Sequence, residues 1–145
     1  MKTLHFEINI KARPARVREC LWDSESYKIW TKPFSEESYY KAENFAEGSK
    51  IHFFGPDGHG MNSIIEKLDE PKFIALKHLG EIKNFEEQPL EGQEWSNAIE
   101  SYELTPIEDG TKLIVNVDTV EQYADSMNET FPMALNELKK LAETN

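Results

Sequence analysis

A single cysteine, Cys20, occurs among the 145 residues. One thiol closes no internal disulfide and builds no cysteine-based zinc cluster. No apolar run reaches membrane-spanning length. Positive charge is scarce: 16 Lys and Arg face 27 Asp and Glu, a formal net charge of −11. Such a surface repels nucleic acid and anionic lipid through long-range Coulomb forces, so neither a nucleic-acid nor a membrane partner is expected. The phosphate-cradling loop, the dinucleotide fingerprint and the G-x-S-x-G nucleophile elbow are all missing. No cofactor is expected. Without a compact spacing of His, Asp and Glu, no metal site is expected either.

What is present is a folding composition, with eight Phe, five Tyr and three Trp. The length suits one domain, read as residues 1–145. The opening "MKTLHFEINI" alternates and carries Glu7, which reads as a strand rather than a secretory leader. With the lone thiol, this places the protein in a reducing cytoplasm.

Leu4, Phe6, Ile8 and Ile10 share one face of that first strand. In "ARPARVRECLWD" the period changes, and Pro14 suits the first turn of a helix. A second short helix follows, capped by Asp23 or Ser24 and ended by Pro33. From Glu36 the period is two again. "ESYYKAENF", "SKIHFF", "GMNSIIEKLDEP", "KFIALKHLG", "EWSNAIESYELTPI" and "TKLIVNVDTV" read as strands. Residues 81–94 read as a long exposed loop. Asp109-Gly110 marks a hairpin. Near the end, Met127, Phe131, Ala134, Leu135, Leu138 and Leu141 form one apolar stripe of an amphipathic helix, kinked or started at Pro132. The predicted fold is α+β: a curved, mostly antiparallel sheet of about six to seven strands around a long C-terminal helix, with two short helices after the first strand.

"GPDGHG" holds His59 inside turn residues and reads as a chain reversal, with glycines for positive φ and a solvated histidine. His5 lies on the outward face of the first strand. Cys20 reads as core.

"INIKARPARVRECLWDSESYKIWTKPF", "FAEGSKIHFFGPDGHGMNSIIEKLDEPKFI", "ESYELTPIEDGTKLIV" and "ETFPMALNELKKLAE" together resemble the START-like (SRPBCC, birch-allergen-like) superfamily. The branch they resemble is that of homologues of the activator of heat-shock-protein ATPase. The resemblance spans essentially the whole chain. It implies a helix-grip fold with a cavity between sheet and long helix. Members bind lipids, hormones or polyketides, some catalyse cyclisation, and some assist a chaperone. No catalytic motif is common to all, so no catalytic residue is assigned.

Candidate cavity residues come from strand phase and helix spacing. Ile74 and Leu76 put His78 on an inward face, where an imidazole can orient a ligand or exchange a proton near neutral pH. Tyr102 and Leu104 put Glu100 inward, whereas the opposite phase turns Trp95, Asn97 and Ile99 in; spacing leaves both open. Glu66 poses the same question, and both carboxylates are expected at a rim or in solvent. Trp22, Tyr27, Trp30, Phe34, Phe53 and Tyr102 are expected at one side of the cavity, mostly as core. Met127, Phe131 and Leu135 are expected to be core and to wall the pocket.

The leading expectation is therefore a non-catalytic binding domain for a small, largely apolar molecule. The alternatives are a chaperone-associated interaction module, which follows from the resemblance, and a small cofactor-free enzyme using His78, Glu100 and Tyr102.

Overall fold

The structure is a computed structural model that describes residues 1–89 and 97–144. The chain runs β1 (Lys2–Ile10), α1 (Pro14–Trp22), α2 (Ser24–Trp30), β2 (Tyr39–Lys41), β3 (Lys50–Phe54), β4 (Gly60–Asp69), β5 (Phe73–Lys83), β6 (Glu86–Glu87), β7 (Ala98–Ile107), β8 (Gly110–Thr119) and α3 (Glu121–Glu143). The strands form one open sheet in the order β1-β8-β7-β5-β4-β3-β2, with β6 beside β5. Every strand pair is antiparallel.

One face of the sheet is apolar because alternate residues point the same way. Leu113, Val115 and Val117 of β8 are buried, as are Tyr102 and Leu104 of β7 and Ile74 and Leu76 of β5. Helix α3 supplies the cover. Phe131, Ala134, Leu135, Leu138 and Ala142 are buried at three- and four-residue spacing. The helix packs on β1, α1 and α2. Phe131 stacks on Phe6 with ring centroids 4.9 Å apart. Each buried Leu or Phe of this stripe contributes roughly 1.5–3 kcal/mol. The helix begins at Glu121, so Pro132 lies in its interior and does not start it.

Helices α1 and α2 follow from local signals. Pro14 opens α1, and the Asp23 side chain accepts a hydrogen bond from the Ser26 backbone N–H at the start of α2. The Trp22 and Tyr27 rings stack 6.0 Å apart, and Tyr27 meets Trp30 edge-on at 5.5 Å. This aromatic cluster fixes α2 above the sheet.

Two expectations about the strands and loops are corrected. The strand expected over "ESYYKAENF" is reduced to Tyr39–Lys41. The expected long loop is in part a sheet extension. Ile82 is 1% exposed and keeps β5 in the core one residue short of its exposed end at Lys83. Asn84 and Phe85 both take positive φ, 53° and 66°, and turn the chain tightly back into β6. Two consecutive positive φ values are the signature of a type I′ hairpin. Residues 90–94 of that expected loop, and Trp95, lie outside the described residues.

"GPDGHG" does reverse the chain between β3 and β4. Its positive φ values fall on Asp57 and Gly58, 61° and 71°. Gly60 serves a different need: a Cβ there would lie 1.7 Å from the Phe53 carbonyl oxygen. His59 is exposed. His52 is half-buried on β3, with Nε2 2.9 Å from the Glu87 carboxylate.

Candidate functional site

A cavity of about 230 Å³ lies between the sheet, α2 and α3. Tyr27 and Trp30 of α2 and Phe34 beyond it form one wall, and Phe53 and Met61 form another. Met127 and Phe131 of α3 close it, while Glu100 and Tyr102 of β7 supply its polar end. A second hollow of about 520 Å³ adjoins it, walled by His78, Ile82 and Ala98 among others. Gly60, Met61, Glu100, Val117 and Met127 border both.

Behind the polar end runs a hydrogen-bonded relay across three adjacent strands. Ser63 on β4 faces His78 on β5 in the ladder, and Ser63 Oγ is 2.7 Å from His78 Nδ1. His78 opposes Ala98 on β7, so Glu100 is its diagonal neighbour, and His78 Nε2 is 2.9 Å from Glu100 Oε1. The Tyr102 hydroxyl, two residues along the same face of β7, donates to Glu100 Oε2. The His78 side chain is 5% exposed and that of Glu100 17%. The carboxylate is thus the member of the relay nearest open space.

Burial pushes the Glu100 carboxyl up, but the His78 hydrogen bond and charge and the Tyr102 hydrogen bond outweigh it and hold the group below the ordinary 4.5. Burial, then the Glu100 charge, push the Tyr102 phenol well above 10. Burial and the same charge raise the Tyr27 phenol. The cavity therefore presents an anionic carboxylate beside phenols that stay protonated at neutral pH.

Three further polar wall groups are committed. Trp30 Nε1 donates to the Leu21 carbonyl at 3.0 Å, Thr31 Oγ1 to the Tyr27 carbonyl and Ser38 Oγ to the Ser35 carbonyl. The Tyr27 hydroxyl has no hydrogen-bond partner among the described residues. Glu100 uses one bond on each oxygen, and a carboxylate oxygen accepts two.

The Ser-His-carboxylate sequence superficially matches a nucleophilic triad. Its hydroxyl is at the sealed end, since Ser63 is fully buried and wedged behind His78. A nucleophile must face its substrate. Ser63 is a positioning group for the imidazole.

Of the residues singled out from sequence, Trp30, Glu100, Tyr102, Met127 and Phe131 border the cavity. Glu100 points inward rather than to a solvent rim, in phase with Ala98 and Tyr102. His78 lies behind Glu100 and borders the second hollow. Leu135 borders neither hollow: one turn past Phe131, it is 2% exposed in the core. Glu66 is exposed at a bulge of β4, its carboxylate 3.9 Å from the Lys77 ammonium. Sequence reasoning missed Ser63 and Met61. The available signal was their common phase with Ile65, which the β4 bulges obscure by shifting register at Asn62/Ser63 and Ile65/Lys67. Among the described residues no cluster of three or more His, Cys, Asp or Glu could hold a metal ion. None of their helices is long and apolar enough to cross a membrane.

An antiparallel sheet covered by a C-terminal helix, with two short helices after the first strand and a cavity beneath the cover, defines a helix-grip domain of the SRPBCC type. The family model described as Activator of Hsp90 ATPase homolog 1-like protein matches residues 11–143. The chain belongs to that family, which supports a binding domain of this type. Solved structures agree on the fold. A Mesorhizobium loti protein aligns at TM-score 0.75 and 13% identity, over 97% of this chain and 96% of its own. The Aha1 dimer from Colwellia psychrerythraea aligns at TM-score 0.72 and 22% identity, over 99% and 97%. An AHSA1-like protein from Aeromonas hydrophila aligns at TM-score 0.71 and 11% identity, over 98% and 92%. No curated protein matches the chain.

Proposed function

We propose that this protein binds a small, largely apolar molecule between its sheet and its closing helix. The observation that carries this reading is the cavity of about 230 Å³, whose aromatic and thioether walls enclose one polar end at Glu100 and Tyr102. Apolar walls with few convergent polar groups are the usual form of a small-molecule site.

Native mass spectrometry of freshly purified protein tests the reading directly by asking whether an organic molecule travels with it. In parallel, a fluorescent apolar probe should bind the folded protein near one to one and raise its melting temperature as ligand excess over Kd grows. Met127→Trp, on the half-buried helix wall, should occlude the space and abolish binding while the fold persists. Probe binding that appears only on partial unfolding would remove the cavity reading. The family's chaperone-associated role would then be the leading alternative, and the acidic surface the region to examine for a basic partner.

A further inference from the structure

The identity of the polar groups at the cavity narrows the ligand's chemistry. Three observations converge. Glu100 is an acceptor with spare capacity on both oxygens. The Tyr27 hydroxyl borders the same cavity with no partner among the described residues. Of the other polar side chains in the wall, those of Trp30, Thr31, Ser38 and Tyr102 already have a hydrogen bond inside the protein.

A hydroxyl is the simplest single group that donates to the carboxylate and accepts from the phenol at once. A ligand carboxylate does the opposite: it has no proton to give and meets Glu100 with like charge in a low-dielectric space. The rest of the wall is ring faces and edges from Trp22, Tyr27, Trp30, Phe34 and Phe53, which favour a flat body. Size sets the scale. An apolar cavity of roughly 150 Å³ takes one benzene, so about 230 Å³ suits two fused rings.

Resting on the cavity reading above, we infer that the site selects neutral, planar, hydroxyl-bearing molecules and excludes carboxylates, with Glu100 accepting the ligand's O–H and Tyr27 donating to its oxygen.

The test compares naphthalene, 2-naphthol and 2-naphthoate by calorimetry at neutral pH. A hydrogen bond to a charged group corresponds to a preference of about tenfold or more, so 2-naphthol should bind at least that much tighter than naphthalene. 2-Naphthoate should be the weakest of the three. Tyr27→Phe leaves the relay intact and should lower 2-naphthol affinity several-fold without changing naphthalene. Glu100→Gln, checked for folding by circular dichroism, should remove most of the hydroxyl preference and admit the naphthoate. If 2-naphthol and naphthalene bind alike, if the naphthoate binds as well as the naphthol, or if both variants keep the wild-type ratio, the hydroxyl assignment is overturned and the cavity reading stands. If none of the three binds, both fall together.

Discussion

Glu100 and His78 sit on neighbouring strands as a diagonal pair, and their side chains meet at 2.9 Å beneath a largely apolar wall. The contact joins the cavity to the interior of the sheet. On its cavity side is a carboxylate with spare acceptor capacity; on its sealed side Ser63 holds the imidazole ring. Neither charge nor ring orientation is left to solvent, so the polar end of the cavity is prearranged before anything binds.

Removing the imidazole tests that arrangement. His78→Ala leaves a mostly buried carboxylate without its principal partner and a buried serine hydroxyl without its own. The expected cost is about 3–5 kcal/mol, the range for breaking one side of a buried pair. Urea melts read this directly. A loss below about 1 kcal/mol would mean that the pair is solvated and the relay is not formed.

The depressed Glu100 pKa makes a signed prediction about pH. Its folded-state value lies below the unfolded one, so its contribution is full above the ordinary carboxylate value of 4.5. That contribution fades as pH falls through the depressed value. Wild type should therefore exceed Glu100→Gln in stability at pH 7, with the gap closing as acid is added below about 4.5. A gap that stays constant or widens on acidification contradicts an ionised, paired Glu100.

The closing helix separates burial from exposure within two residues. Leu138 is fully buried against the core, whereas Asn136 is exposed. Leu138→Ala should cost about 2–5 kcal/mol, and Asn136→Ala should stay within about 0.5 kcal/mol. Equal losses in denaturant melts would be incompatible with α3 gripping the sheet. Lys139, although on the more polar side, is a poorer control because its ammonium bonds the Asn9 carbonyl and Glu143.

Two glycines should respond for different reasons. Gly60→Ala drives a methyl into the Phe53 backbone, which cannot yield without moving β3. It should cost about 3 kcal/mol or more, at the upper end for overpacking. Gly48 has φ of 88° and open space around it. Gly48→Ala should therefore cost only the left-handed backbone penalty of about 1–2 kcal/mol. Thermal melts that rank the two in reverse order would show that the β3–β4 turn is less closely packed than described.

The sequence alone determined which residues share a face. Alternation in "TLHFEINI" and "TKLIVNVDTV", the three-to-four spacing from Met127 to Leu138 and the Pro14 and Asp23 signals follow from local backbone periods of 2 and 3.6. These periods set the direction of a side chain relative to its own element, so the inward side of His78 was legible from Ile74 and Leu76. They do not say which strand lies beside which, at what register, or where a bulge resets the phase. Only the order β4-β5-β7 and its register bring Ser63, His78 and Glu100 into one relay. Only that packing settles the phase of Glu100, which spacing left open, and turns Glu66 out at a bulge. Tertiary packing likewise decided that Phe131 borders the cavity while Leu135, on the same stripe, does not: one helical turn, about 5.4 Å, carries the side chain from the hollow into closed core.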